Sequence, residues 1–436
     1  MLVTIWFLMF IFFWVMFSYL THWRPTRHIG FYHYVLFYFS IYWGAIDLYI
    51  NRGSTNQLFL FSVAVYPIIS LFGILSGTML SRKVNIPNVE ILIETQKGKF
   101  IISLLVLFIA VYAIYLLTLG GNIPLIVSLR ETNPILGHMA RYAATKGYRE
   151  SVYPIGFLYW FPRILIDYFG VFVIIFFYKN YRKNIASSYI KLAILGGIIC
   201  LMALMDNEKY PVEKIVVITT LCIFNSRYFQ LNIRSIAYLF VFGLIFIFLT
   251  GLVYSTVTSS LQKMTNMDIF DSLKYIMYDK GWRLLATRGV IGQCIPLYMI
   301  YEIIPEKYPF FMGRTFTNPH KILPYEPVAL PYLIYQSYNK PIHGLKGADP
   351  TIFFGEIYAN FGIFISLLSM FLFGGLLQVI NGKLSNQIEK NRTAFFVAFF
   401  YLWMTYLGDF AIGFSVPWFD ERIWFFIGIY ILGKYI

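Results

Sequence analysis

Charge is what this chain has least of. Asp, Glu, Lys and Arg make up 13% of its 436 residues, about half the ~25% of an ordinary soluble chain. A conventional soluble fold is excluded, and a polytopic membrane protein is expected. Cysteine is nearly missing as well. Cys200 and Cys222 fall in apolar runs and Cys294 in a longer polar stretch, so the sequence holds neither a disulfide framework nor a Cys-x-x-Cys metal spacing. It has no Gly-x-x-x-x-Gly-Lys-Ser/Thr loop and no Gly-x-Gly-x-x-Gly fingerprint, so nothing marks it as an ATPase or a dinucleotide enzyme. Acidic residues are outnumbered 21 to 35, leaving a net charge of +14. In a membrane protein this balance belongs to loops facing anionic lipid, and it does not indicate nucleic acid.

What the chain does have is long apolar runs. A spanning helix needs about 20 mostly apolar residues. On that scale the expected spans are 2–20, 30–50, 58–80, 100–120, 156–178, 189–206, 211–226, 233–255, 353–380, 394–411 and 422–436. The fold class expected is therefore all-α, a single bundle over 1–436 of about eleven transmembrane helices. The first run has Arg24 and Arg27 after it and no basic residue before it. It is expected to be an uncleaved anchor with its N-terminus outside. With that orientation the short inner loops carry Arg82, Lys83, Lys97, Lys99, Lys179, Arg182, Lys183, Arg227, Arg234, Lys383, Lys390, Arg392 and Lys434, the bias that positive-inside topology requires. The run 284–304 is apolar, but counting it as a crossing would put the basic 381–393 loop outside. It is expected to lie outside the bilayer or to re-enter it.

Two outer segments remain, 122–153 and 254–352, the second too rich in Tyr, Ile, Leu and Phe to be disordered. Loops of this length are usually functional. The second holds Arg283, Arg288 and Arg314, and the first holds Arg141 among other basic residues. Guanidinium forks match phosphate oxygens, so the group suits an anionic ligand such as a pyrophosphate. Taken singly, each arginine equally suits a lipid headgroup at the interface.

The large segment closes on His343, Lys346, Asp349 and Glu356. Asp349 before Pro350 reads as a helix start. Glu356 falls inside the ninth expected span, where an ionisable side chain is a functional candidate. Either carboxylate could take a proton from a hydroxyl or orient an arginine, and His343 could be base, acid or phosphate hydrogen-bonder. The polar turn 205–214 and the Arg163–Asp167 pair are read as self-neutralising.

The run Gly-Ala-Asp-Pro-x-x-x-x-Gly-Glu-x-Tyr-Ala-Asn-Phe-Gly at 347–362, with the Arg283 to Arg288 segment and the two outer segments, resembles the Wzy-type O-antigen polymerases, the oligosaccharide repeat-unit polymerases. The arginine-plus-glycine repeat of some members is absent from both outer segments. The resemblance implies a plan like that of GT-C membrane glycosyltransferases in the bacterial inner membrane, with the active site facing the periplasm. It implies a metal-independent, cofactor-free transfer from undecaprenyl pyrophosphate. Arg283, Arg288, Arg141, Arg314 and Lys346 would hold the pyrophosphate, and Glu356, Asp349 or His343 would serve the acceptor. The partners implied are the lipid-linked oligosaccharide, the bilayer and a chain-length regulator of the same pathway. An O-antigen ligase and a flippase of the same lipid-linked unit are the alternatives; the lack of repeated halves disfavours the flippase.

Overall fold

The structure, a computed structural model, describes residues 15, 39–52, 56–80, 95–120, 122–130, 164–180, 185–205, 215, 267–282, 294–316, 324–338, 352–391, 393–412 and 421–435. Among these residues the regular structure is helical and no strand occurs. In chain order the helices are α1 (Phe39–Arg52), α2 (Gln57–Leu80), α3 (Thr95–Thr118), α4 (Pro124–Arg130), α5 (Gly170–Asn180), α6 (Ile185–Met205), α7 (Ile269–Lys274), α8 (Cys294–Ile303), α9 (Leu330–Tyr338), α10 (Phe353–Asn391), α11 (Ala394–Ile412) and α12 (Glu421–Tyr435). Wider π-helical turns precede α5, at Leu165–Phe169, and follow α7, at Tyr275–Trp282.

Among the described residues three stretches are long and apolar enough to cross a membrane: Gln57–Leu80, Gln96–Thr118 and Phe353–Ile380. The described residues thus have the character of an all-α membrane protein. The expected spans 2–20, 211–226 and 233–255 lie almost wholly outside the described residues. Helix α8 has ten residues, about 15 Å at 1.5 Å per residue, which is half a bilayer core.

The chain divides into two compact units. The first comprises Met1–Pro87, Ala286–Lys390 and Tyr406–Ile423. In it α2 approaches α10 closely. Helix α2 carries small residues at Ser70, Gly73 and Gly77, and α10 carries Gly374 and Gly375. A Cβ on Gly73 would stand 2.0 Å from the carbonyl oxygen of Phe371, and one on Gly374 would stand 2.2 Å from that of Ser70. The two backbones therefore touch. Lipid supplies no hydrophobic drive between helices, so close backbone packing through small residues is what associates them.

Helix α10 is not one straight rod. Gly362 has φ 79° and ψ −175°, a conformation essentially confined to glycine. The Ser366 hydroxyl reaches back to the carbonyl of Phe354 at 2.7 Å, and the rings of Phe353 and Phe373 lie 4.9 Å apart. Twenty residues of straight helix would separate those rings by about 30 Å. Residues 353–361 form a short helix, and 363–391 fold back beside it. This corrects the expectation of one continuous span over 353–380: the part that runs straight begins at 363.

The second unit comprises Asn88–Leu285, Asn391–Thr405 and Trp424–Ile436. Aromatic rings fill it. Phe108 stacks on Phe169 at 4.6 Å, Phe172 meets Phe395 edge-on at 5.4 Å, and Tyr168 meets Phe426 at 5.5 Å. Tyr112 of α3 donates its hydroxyl proton to the Met202 carbonyl of α6. Gly170 lets Ile199 of α6 approach, since a Cβ there would stand 2.6 Å from that side chain.

Candidate functional site

Reversing a helix at Gly362 leaves the last carbonyls of 353–361 without helical partners. The segment after α8 supplies them. The Phe311 N–H donates to the Ala359 carbonyl at 3.0 Å and the Met312 N–H to the Asn360 carbonyl at 3.1 Å. A tight turn follows, with Met312 at φ 53° and Gly313 at φ 88°. Asn360, fully buried, ties that turn down. Its Oδ1 accepts from the Gly313 N–H at 2.8 Å and, at the limit of hydrogen-bond range, from the Thr315 N–H at 3.5 Å. Its Nδ2 donates to Thr315 Oγ1 at 2.6 Å and to the Glu356 carbonyl at 2.9 Å.

Thr315 then donates its one hydroxyl proton to Glu356 Oε1 at 2.9 Å. The direction of this relay, Asn360 to Thr315 to Glu356, is fixed by the donor inventory, because the amide nitrogen can only donate. Glu356 is 4% exposed and is held as an acceptor. Arg314, the residue before Thr315, is exposed on the same turn, and its backbone is pinned by the Val328 N–H donating to its carbonyl at 2.7 Å. The turn that carries the exposed Arg314 is thus bonded, through Thr315, to the helix that carries the buried Glu356.

A floor of hydroxyls lies in the same unit. Tyr66 of α2 bonds Tyr301 of α8 at 2.6 Å and Ser366 of α10 at 2.7 Å. Tyr301 stacks on Tyr358 at 4.0 Å, and the Tyr358 hydroxyl donates to the Ile304 carbonyl at 3.1 Å. Asn56 caps the start of α2 by accepting from the Phe59 N–H at 3.0 Å, and it donates to the carbonyl of Tyr301 and to Glu302 Oε1. These bonds lock α2, α8 and both parts of α10 together.

Of the candidate site residues expected from the sequence, Glu356 and Arg314 are described: Glu356 accepts from Thr315, the residue that follows Arg314. Arg141, Arg283, Arg288, His343, Lys346 and Asp349 lie outside the described residues, as does Arg163. Thr315 and Asn360 were not singled out as functional, although Asn360 stands one turn after Glu356 and two residues before Gly362. A polar amide at that spacing in an apolar run was the available signal. Among the described residues no group of three or more His, Cys, Asp and Glu is placed to hold a metal ion.

Comparison of the chain with protein-family models, with curated proteins and with solved structures found no match in any of the three.

Proposed function

We propose that this chain polymerises lipid-linked glycan repeat units. The growing glycan would pass from undecaprenyl pyrophosphate to the non-reducing-end hydroxyl of a new lipid-linked unit. The bond from the sugar C1 to the pyrophosphate oxygen breaks, a bond from C1 to the acceptor oxygen forms, and the acceptor proton goes to a carboxylate. Undecaprenyl pyrophosphate leaves. The bundle would have about eleven spans, on a plan like that of GT-C glycosyltransferases, with its site on the outer face of a bacterial cytoplasmic membrane.

The observation that supports this reading is the bond from the Thr315 hydroxyl to the buried carboxylate of Glu356, Arg314 being the residue before Thr315 in the chain. A proton acceptor whose partners Thr315 and Asn360 fix its orientation and a permanent cation on the turn bonded to it are what glycosyl transfer from a pyrophosphate asks for. The remaining outer arginines of the sequence, Arg141, Arg283 and Arg288, would add to the anion site.

A second reading has its own support. Broken helices at polar sites are a device of transporters, and Gly362 breaks α10 beside Glu356. One experiment separates the readings. The gene is deleted in a host making smooth lipopolysaccharide and complemented with wild type, Glu356→Gln or Arg314→Ala, and the ladder is resolved on a gel. Collapse to core plus one repeat unit, unrescued by Glu356→Gln, is the result expected of a polymerase. Loss of every repeat from the core would favour a ligase or flippase, and an unchanged ladder would overturn the assignment.

A further inference from the structure

The straight part of α10 marks a level. From Ile363 to Ile380 it is apolar or glycine but for Ser366, Ser369 and Gln378, and at 1.5 Å per residue it covers about 27 Å, close to the ~30 Å of a hydrocarbon core. Beyond Ile380 the helix turns polar, with Asn381, Lys383, Gln387, Glu389 and Lys390. One face of the apolar part carries Phe364, Leu368, Leu372 and Leu376, all exposed, at the four-residue spacing that keeps side chains on one side of a helix. On a spanning helix such a stripe meets lipid tails, which are as apolar as leucine. Ile363 therefore stands at one edge of the core.

The exposed apolar surface does not stop at that edge. Phe364, the first residue of the stripe, is 83% exposed, and Phe361, just before the reversal at Gly362, is exposed too. Met312, whose N–H bonds the Asn360 carbonyl, is 73% exposed. Two half-buried rings join them: Phe316 lies 6.0 Å from Phe361, and Phe310 is the nearest group to a Cβ placed on Gly362, at 3.5 Å. The tip of the hairpin is thus a cluster of four phenylalanines and a methionine. Exposed apolar clusters of this kind mark a contact with something apolar. The exposed charges described on the same segment, Lys307 and Arg314 against Glu306 and Glu326, cancel, so charge of one sign is not what recruits the partner.

We propose that this tip is a membrane-surface contact: Met312, Phe361 and Phe364 enter the bilayer at the edge of the hydrocarbon core, and Arg314, two residues after Met312, is carried to the level of the lipid phosphates. The patch is continuous with the stripe of α10, so the lipid that covers Leu368 and Leu372 reaches Phe364 and Met312 without a break. Amphipathic rings and basic side chains are the residues membrane proteins keep at this level, and an arginine stem lies on apolar surface while its head stays hydrated. Because the charges cancel, apolar burial holds the tip in place, and zwitterionic lipid suffices. This contact is independent of the reaction proposed above. It sets the depth of the turn that is bonded to Glu356.

The test uses the full chain with its three cysteines replaced by alanine and one new cysteine carrying a nitroxide, reconstituted in phosphatidylcholine vesicles. Collisions of the label with oxygen, which concentrates in lipid, and with a water-soluble nickel chelate are measured by electron paramagnetic resonance. Met312→Cys, Phe364→Cys, Leu372→Cys and Glu306→Cys all fall at exposed positions, where a label disturbs packing least. The oxygen-to-chelate ratio at 312 and 364 is expected to exceed that at 306 several-fold, and the ratio at 372, about 12 Å further along the helix, to be higher still. Adding phosphatidylglycerol should leave the value at 312 unchanged. Chelate access at 312 equal to that at 306 places the tip in water and overturns the proposal. Free chelate access at 372 overturns it as well, by removing the lipid-facing stripe that sets the level. Spin–spin broadening at 312 that vanishes on dilution with unlabelled chain overturns it in favour of a second copy covering the tip.

Discussion

Ser366 donates its hydroxyl proton to the carbonyl of Phe354, a residue twelve positions earlier, at 2.7 Å. In a straight helix those groups would be about 18 Å apart, so the bond exists only because the chain turns back at Gly362. A cross-link tests this directly. In a cysteine-free background, Phe353→Cys with Phe373→Cys is expected to be joined by a short bismaleimide, since the native rings are 4.9 Å apart. No cross-link, under conditions that label both thiols, would mean the helix is straight.

Gly362 itself should be intolerant of a side chain for reasons of backbone alone. The nearest group to an added Cβ is the Phe310 ring at 3.5 Å, which is ordinary contact, so space is not the obstacle. The obstacle is φ 79° with ψ −175°. Gly362→Ala is expected to cost about 1–3 kcal/mol, read as a lower melting temperature in detergent. Gly428→Ala in α12, which meets no described atom within 4 Å, is expected to be neutral or to stabilise by up to about 1 kcal/mol.

Gly73 and Gly374 should fail for the opposite reason. Both are helical, yet a methyl group on either would enter the space of a backbone carbonyl oxygen, at 2.0 Å and 2.2 Å. Backbone cannot move aside as a flexible side chain does. Gly73→Ala and Gly374→Ala are each expected to destabilise by about 1–3 kcal/mol, the usual cost of overpacking. Equal melting temperatures for these variants and wild type would show that α2 and α10 stand further apart.

The Asn360–Thr315–Glu356 relay predicts coupling. Asn360→Leu removes four hydrogen bonds and Thr315→Val removes the donor to Glu356. Each is expected to cost on the order of 1–3 kcal/mol through buried groups left unpaired. Because they break one network, the double variant should cost less than the sum. Additive losses in a double-mutant cycle would place the two residues in separate interactions.

Cys294 is fully buried, and burial pushes its thiol well above the ordinary cysteine range, with the charge of Asp47 adding to the effect. The thiolate is the reactive form, so a raised pKa and lack of access act in the same direction. With Cys200 and Cys222 replaced by Ala, maleimide at pH 8 is expected to leave Cys294 unmodified until the protein is unfolded. Rapid labelling in the folded state would contradict the packing of α8.

Hydropathy made several elements legible. The expected runs 58–80 and 100–120 correspond to α2 and α3, and 394–411 to α11, because apolar length is what both a bilayer and a reader respond to. The reversal was not legible. Gly362 sits in an apolar run where a glycine is unremarkable in a membrane helix, and hydropathy carries no information about φ. The contact of α2 with α10 was half-written in the Gly73-x-x-x-Gly77 spacing, but its partner Gly374 lies three hundred residues away. For the site, Glu356 and Arg314 stood out by charge. The neutral Thr315 and Asn360, which bond Glu356, carried no charge to draw attention.

The hairpin of α10 also bears on how the chain is assembled. Nine residues, 353–361, are too few to be held by lipid alone, and their final carbonyls need the N–H groups of Phe311 and Met312. Both of those, together with Tyr66 of α2, whose ring packs on Phe354 at 4.3 Å, are synthesised before residue 353 leaves the ribosome. The short helix therefore emerges onto a surface already made, and its order in the chain suits docking during synthesis.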